Sequence, residues 1–175
     1  LQASKEVLTN PVAMGYTIAS SLIFGAFMGY LSSSQQILQE QYGLGLQFPF
    51  YFATLALSLG AASFLNAKLV VQYGMHLLST IAIRIFTGLA FVFLLISYLQ
   101  AGQPPLWQLM TYLLLSFFTV GLLFGNLNAL AMEPLGHIAG IGAAIIGSIS
   151  SIFAILGLAT ALALNWTRSK SDMSV

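Results

Sequence analysis

Apolar residues occur along the 175-residue chain in five long runs, separated by short polar or Pro- and Gly-containing breaks. About 20 mainly apolar residues in α-helix cross the roughly 30 Å hydrocarbon core of a membrane. Backbone groups in lipid must hydrogen-bond internally, which requires helix in runs such as these. The pattern predicts an all-α, polytopic transmembrane helix bundle in a single transmembrane domain over 1–175. The predicted spans are 12–32 (opened by Asn10-Pro11), 48–65, 77–99, 106–132 and 136–166.

The fifth predicted span is longer than one crossing needs. From Gly136 to Trp166 it would extend about 46 Å as a helix at 1.5 Å per residue, against a core of about 30 Å. Tilt absorbs only part of such an excess. Two interpretations remain open: either the segment folds back, or it is a fusion of two spans that lacks about one crossing near 150–153.

The distribution of Lys and Arg predicts which ends are cytoplasmic, because these residues accumulate in short cytoplasmic loops. Lys5 precedes the first span, Lys68 follows the second, and Arg168 and Lys170 follow the last, whereas the loops after the first and third spans contain neither residue type. We therefore expect a cytoplasmic N-terminus in a multi-pass protein. Five crossings would place Arg168 and Lys170 outside, so the charge pattern favours an even number of crossings.

Composition identifies the solvent of this chain as lipid. Charged residues make up 5% and hydrophobic residues 58% of the sequence, whereas soluble domains carry about 25% charged residues. The lipid bilayer is thus the first expected partner. A net charge of +1 offers no basic surface for nucleic acid, and no nucleic-acid partner is expected.

Residue types that support catalysis or metal binding are sparse. The chain has no Cys, which excludes disulfides and thiol catalysis. His76 and His137 are single histidines at membrane edges with no second ligand at helical spacing, so no metal site is expected. Nucleotide-binding, nucleophile-elbow and metalloprotease motifs do not occur in the sequence. We expect neither a cofactor nor an enzyme.

Polar side chains follow one face of the fourth span and, more loosely, of the first. The fourth-span stripe is Tyr112, Ser116, Thr119 and Asn126, and the first-span set is Tyr16, Ser20, Phe24 and Phe27. One interpretation is hydrogen bonding between helices, at about 0.6 kcal/mol per bond. The other is the wall of a cavity that holds solvent or a ligand. The sequence leaves both open.

Arg84 is the one charge well inside an apolar run. Charges inside a membrane usually face the protein interior and mark function. Alternatively, the long side chain of Arg84 reaches the headgroups from about two turns inside the membrane. No acidic residue lies deep in any span, although proton relays normally use buried Asp or Glu.

Small residues recur at four-residue spacing, which predicts close contacts between helix backbones. Examples are Gly25 with Gly29 and Gly121 with Gly125.

Three stretches carry a resemblance to a known family: 30–44, 66–74 and 129–140. They resemble, in that order, the outer end of helix seven with its loop, the inner loop between helices eight and nine, and the junction of helices ten and eleven in drug:proton antiporters of the major facilitator superfamily. The likeness is to the C-terminal half of the bicyclomycin/chloramphenicol-resistance (Bcr/CflA) group. It covers nearly the whole chain, with 129–140 the most specific match.

This resemblance implies half of a secondary transporter of the bacterial inner membrane that exports amphipathic drugs or small molecules in exchange for protons. Such transporters bind substrate near the midplane between two halves, so the missing partner would be the N-terminal six-helix half. The first- and fourth-span polar sets, with Phe117, would line the substrate cavity. The cytoplasmic gate and loop would use Lys68, Gly74, Glu133 and Gly136.

The chain also departs from the family pattern. In the inner-loop motif only Leu69, Val70 (loosely) and Gly74 fit, and Val71 stands where the acidic residue would be. The six N-terminal helices, with the antiporter motif and the buried acids expected to carry protons, are absent from this sequence. A second interpretation is therefore a truncated membrane subunit that has a structural or assembly role and does not transport.

Overall fold

A computed structural model describes residues 2–172, apart from the side chains of residue 165 and residues 167–172. Every regular element in this part of the chain is helical. The α-helices are α1 (Gln2–Thr9), α2 (Pro11–Gln35), α3 (Phe48–Tyr73), α4 (Met75–Leu99), α5 (Leu106–Met132) and α6 (Ala139–Asp172). A π-helix (Gln36–Gln41) and a 3₁₀ turn (Gly45–Gln47) follow α2, and a 3₁₀ helix (Glu133–Ile138) joins α5 to α6. The chain divides into two compact units, 1–48 with 128–175 and 49–127.

Local sequence sets the start of α2. Asn10 has an extended backbone, and its Oδ1 accepts hydrogen bonds from the backbone N–H groups of Val12 and Ala13, each at 3.0 Å. These bonds satisfy donors that the first helical turn would otherwise leave unpaired. Pro11 occupies the first helical position, where its missing N–H costs nothing. The predicted helix start at Asn10-Pro11 is confirmed.

In the first unit, α2 and α6 pack side by side as parallel helices. The hydroxyls of Ser21 and Ser150 lie 3.0 Å apart, and farther along, Gly25 lies against Phe153 and Gly29 against Gly157. Residue numbers therefore rise together on the two helices. A Cβ on Gly25 would lie 2.6 Å from the backbone oxygen of Phe153, so this contact requires glycine.

The N-terminal ends of α2 and α6 meet at a small hydrophobic core. Val7, Ala13, Ala131, Leu135 and Ile146 are all buried there. Through Val7, the short helix α1 also packs against this end of the unit. The described part of the chain thus has α1, the start of α2 and the 3₁₀ helix on one side of the unit.

The structure excludes one of the two interpretations of the last segment, the fold-back. Helix α6 continues without a break through Ser150–Phe153 and has 34 residues, or about 51 Å at 1.5 Å per residue. Because α6 runs parallel to α2, an odd number of crossings lies between the start of α2 and the end of α6. The expectation of an even number of crossings, which rested on Arg168 and Lys170, is therefore wrong for this chain. The side chains of these two residues lie outside the described ones. The interpretation of a lost crossing near 150–153 stays a prediction.

The second unit contains α3, α4 and nearly all of α5. Only Gly74, with φ of +78°, lies between α3 and α4, a backbone conformation that glycine adopts without strain. Ser58 and Leu59 of α3 lie against Leu114 and Gly121 of α5, respectively. Residue numbers rise together in this pair too, so α3 and α5 are parallel neighbours within the unit.

Length and composition make these helices suitable for a membrane. Four helical stretches within the described residues are long and apolar enough to cross one, and the fourth, 106–164, contains α5 and most of α6. The predicted all-α transmembrane bundle is confirmed. Predicted spans and observed helices share several bounds: 106–132 coincides with α5, whereas α3 continues eight residues past the predicted end at 65.

The α2–α6 contact generates a matched pair of substitutions on one helix. We expect Gly25→Ala to destabilise the protein by about 1–3 kcal/mol, because the added methyl overpacks a contact with fixed backbone. Gly15→Ala, at a site where a Cβ meets nothing within 4 Å, should be neutral or stabilise by roughly 0.5–1 kcal/mol through helix propensity. Thermal unfolding of both variants in detergent measures the difference. Equal unfolding temperatures would contradict the close packing.

Candidate functional site

Three members of the predicted α5 stripe are buried within the second unit. Ser116, Thr119 and Asn126 expose 6%, 4% and 4% of their surface. Tyr112 is half-buried, and its ring stacks on Phe93 of α4 with centroids 4.1 Å apart. The stripe thus forms a largely buried face of α5, as its helical spacing predicts.

Asn126 forms a reciprocal amide pair with Asn66 of α3. Asn66 Nδ2 donates to Asn126 Oδ1 at 3.2 Å, and Asn126 Nδ2 donates back to Asn66 Oδ1 at 2.7 Å. Asn126 Nδ2 also donates to the backbone oxygen of Leu122 at 2.9 Å. Both N–H donors of the Asn126 amide are therefore occupied, and its oxygen accepts one bond. Asn126 therefore hydrogen-bonds between helices, which is one of the two interpretations of the stripe.

Two α3 hydroxyls reinforce this interface. Ser58 Oγ donates to the backbone oxygen of Leu114 at 2.8 Å. Ser63 Oγ donates either within its own helix, to the backbone oxygen of Leu59 at 3.0 Å, or across the interface, to that of Gly121 at 3.4 Å. A Cβ on Gly121 would lie only 2.6 Å from the backbone oxygen of Leu59, so the two backbones are in close contact. None of Ser58, Leu59 and Ser63 is among the predicted site residues. The signal in the sequence that could have identified this interface was Asn66, an amide that directly follows the apolar run ending at Leu65.

The other two stripe hydroxyls differ in their hydrogen bonding. Thr119 Oγ1 donates within its own helix, to the backbone oxygen of Ser116 at 2.8 Å or of Leu115 at 3.1 Å. Ser116 Oγ is buried and has no hydrogen-bond partner among the described residues. Buried polar atoms are nearly always paired with protein, water or a ligand. Ser116 is therefore the stripe hydroxyl that a bound molecule could engage.

The first-span candidates lie in the other unit, on α2. Ser20 is buried, and its Oγ donates to the backbone oxygen of Thr17 at 3.0 Å. Tyr16 packs against the small core around Ala13, and Phe24 and Phe27 are half-buried. Ser21, which is not among the predicted site residues, contacts a second helix through its hydroxyl. A cavity shared by the α2 and α5 sets stays a prediction.

A groove runs between α2 and α6 in the first unit, with a volume of about 420 Å³. That volume lies within the roughly 300–1,000 Å³ of small-molecule pockets. Its lining includes Gly25, Gly29 and Ser33 of α2 and Gly157 and Thr160 of α6. None of the four α2 candidates belongs to this lining.

The predicted gate and loop residues lie near helix ends. Lys68 is exposed near the end of α3, with Nζ 5.3 Å from the centre of the Phe64 ring. Gly74 begins α4. Glu133 and Gly136 lie in the 3₁₀ helix before α6, and both are exposed. Their gating role stays a prediction.

Arg84 and the histidines complete the candidates. Arg84 is exposed on α4 and so does not point into the interior of its unit, which favours the headgroup-anchoring interpretation. His137 Nε2 lies 2.7 Å from Glu6 Oε1, and both side chains are about half exposed or more. Such exposed pairs contribute little to stability. Within the described residues, no cluster of three or more His, Asp or Glu side chains could hold a metal ion.

Comparison with known proteins finds sequence similarity to a membrane transporter. The chain is 27% identical over 145 residues to a protein of Bacillus subtilis (strain 168) described as an uncharacterized MFS-type transporter, YdgK. The match covers 81% of this chain, which spans about a third (35%) of the length of that relative. No family model matches the chain, and no solved structure matches it significantly. The similarity supports membership in the major facilitator superfamily and does not distinguish the Bcr/CflA group.

The amide pair generates a double-mutant test. Asn66→Leu removes the side-chain partner of the buried Asn126 amide, and Asn126→Leu removes that of the half-buried Asn66 amide. Each single change should destabilise the protein by about 1–3 kcal/mol. The double variant should cost less than the sum of the two single changes, with a coupling of roughly 0.6–1.7 kcal/mol. Thermal unfolding in detergent measures all three.

Asn128→Leu, at an exposed position of the same helix, is the control and should have little effect. Additive effects of the Asn66 and Asn126 substitutions would show that the two amides do not interact.

Proposed function

We propose that this chain is one half of a secondary transporter of the major facilitator superfamily that exports amphipathic small molecules in exchange for protons across a bacterial inner membrane. The observation that carries the proposal is the similarity over 81% of the chain to about a third (35%) of the length of an MFS-type transporter. The helical, lipid-compatible fold supports it. Secondary transporters of this kind enclose substrate between two helix bundles that rock against each other.

The proposed substrate contacts combine aromatic and hydroxyl groups. Phe24, Phe27 and Phe117 would contact apolar drug surface, and polar groups of the stripe would fix orientation, as in most small-molecule sites. The buried, unpaired hydroxyl of Ser116 supports a polar contact there. Asn126 has a different proposed role, because its pairing with Asn66 holds α5 against α3.

Proton coupling would depend on the missing N-terminal six-helix half. No acidic residue lies deep within the apolar runs of this sequence, and transporters carry protons on buried acidic or His side chains. Arg84 cannot substitute, because guanidinium remains protonated at any physiological pH. Within the two-half assembly, the preceding helices would hold the N-terminus of this chain in the cytoplasm, with Lys68, Gly74, Glu133 and Gly136 on the cytoplasmic side as the gate and loop.

The second candidate function is a membrane structural or assembly subunit that does not transport. Its support is that much of the polar stripe is occupied by hydrogen bonds within one unit. The two functions differ in whether adding a six-helix half creates transport.

We expect the purified chain alone to show no proton-driven transport, since it has neither a second bundle nor a buried titratable carrier. Liposomes that contain the chain, loaded with a fluorescent cationic dye and given a pH gradient, should release the dye no faster than protein-free vesicles. Dye movement that requires the pH gradient would show that the half-transporter assignment is wrong.

Co-reconstitution separates the two candidate functions. The chain is expressed together with the N-terminal six helices of a drug-exporting MFS transporter, and the paired halves are purified through a tag on one of them. Gradient-dependent dye movement by the pair, absent from either half alone, supports the transporter. A pair that purifies together without transport supports the assembly subunit.

A further inference from the structure

The parallel packing of α2 and α6 changes how charge is divided between the two faces of the membrane. Helices α2 to α6 are each long enough to cross it, and each crossing reverses the side. Because α6 runs in the same direction as α2, the end of α6 emerges on the face opposite the N-terminus. Fold-back, which would have returned the chain to its starting side, does not occur.

This parity leaves the Lys and Arg residues evenly divided. Lys5 and the α3 end that bears Lys68 are on one face, whereas Arg168 and Lys170 follow the apolar run of α6 and are on the other. Arg84 lies within α4, nine residues or about 14 Å from its start, and so belongs to neither flanking segment. These five are all the Lys and Arg residues of the sequence.

An even division removes the main determinant of orientation. The excess of Lys and Arg in short flanking segments decides which face of a polytopic protein is cytoplasmic, and Asp and Glu contribute little. With two such residues on each face, neither orientation is favoured. We infer that the 175-residue chain, expressed by itself, inserts into the membrane in both orientations. The inference rests on five crossings and on charge, and it is independent of which substrate is transported.

The absence of Cys makes a direct labelling experiment available. Gly136→Cys marks the face of the N-terminus, at a site where a Cβ meets nothing within 4 Å. Gln103→Cys, at an exposed site between α4 and α5, marks the other face. Each variant is treated in intact cells with an impermeant thiol reagent. Labelling of alkali-washed membranes is then expressed relative to permeabilised cells, so that only inserted protein is counted.

We expect each site to reach about half of its maximal labelling from outside, because each is external in about half of the molecules. Labelling of Gln103→Cys with none of Gly136→Cys, or the reverse, would establish one orientation and overturn the inference.

Matched charge variants test whether charge balance is the cause. Lys5→Gln with Lys68→Gln should favour molecules whose N-terminal face is outside, and Arg168→Gln with Lys170→Gln should favour the opposite orientation. Each pair should change the orientation ratio by at least about fivefold, since each basic residue near an anionic leaflet contributes about 1 kcal/mol. The charge-preserving control Lys5→Arg with Lys68→Arg should leave the ratio unchanged. If both Gln pairs changed the orientation ratio in the same direction, or if the Arg control changed it, the role of charge would be overturned.

Discussion

Helices in lipid gain no hydrophobic energy by leaving the surrounding hydrocarbon, since the acyl chains are as apolar as the side chains themselves. Association must come from van der Waals contact at short range and from hydrogen bonds between helices. Both units of this protein satisfy that requirement in the same way. Glycines bring two backbones together, Gly25 to Phe153 in one unit and Gly121 to Leu59 in the other. Polar side chains beside them then bond across the contact.

The two parallel pairs, α2 with α6 and α3 with α5, differ in the strength of their polar bonds. Ser21 and Ser150 share one hydroxyl contact, whereas α3 and α5 share the reciprocal Asn66–Asn126 amides and the hydroxyl bond from Ser58 to the backbone of Leu114. A buried amide cannot leave its partner without an unsatisfied group in hydrocarbon. The Asn66–Asn126 pair thus holds α5, the helix that carries the proposed contact at Ser116, against α3.

The parallel packing of α2 and α6 also bears on how many times the chain crosses the membrane. The charge pattern alone favoured an even number of crossings, because it treated Arg168 and Lys170 as markers of the cytoplasmic face. A continuous α6 beside α2 reverses that assignment. The sequence therefore carries a charge pattern and a helix arrangement that disagree, as expected if the last segment is a fusion of two spans.

Residue order alone determined the helices and their solvent. Five apolar runs, the Asn10-Pro11 start and the small share of charged residues were sufficient for an all-α membrane bundle, because helix length and backbone satisfaction in lipid are local requirements. Helical spacing also identified the α5 face that is buried. Only the tertiary structure decided what that face contacts, since Asn126 pairs with Asn66, sixty residues earlier. It also decided that α6 continues unbroken beside α2. Periodicity defines a face of one helix, but the identity of the opposing helix depends on contacts between residues far apart in the chain, and no local pattern records them.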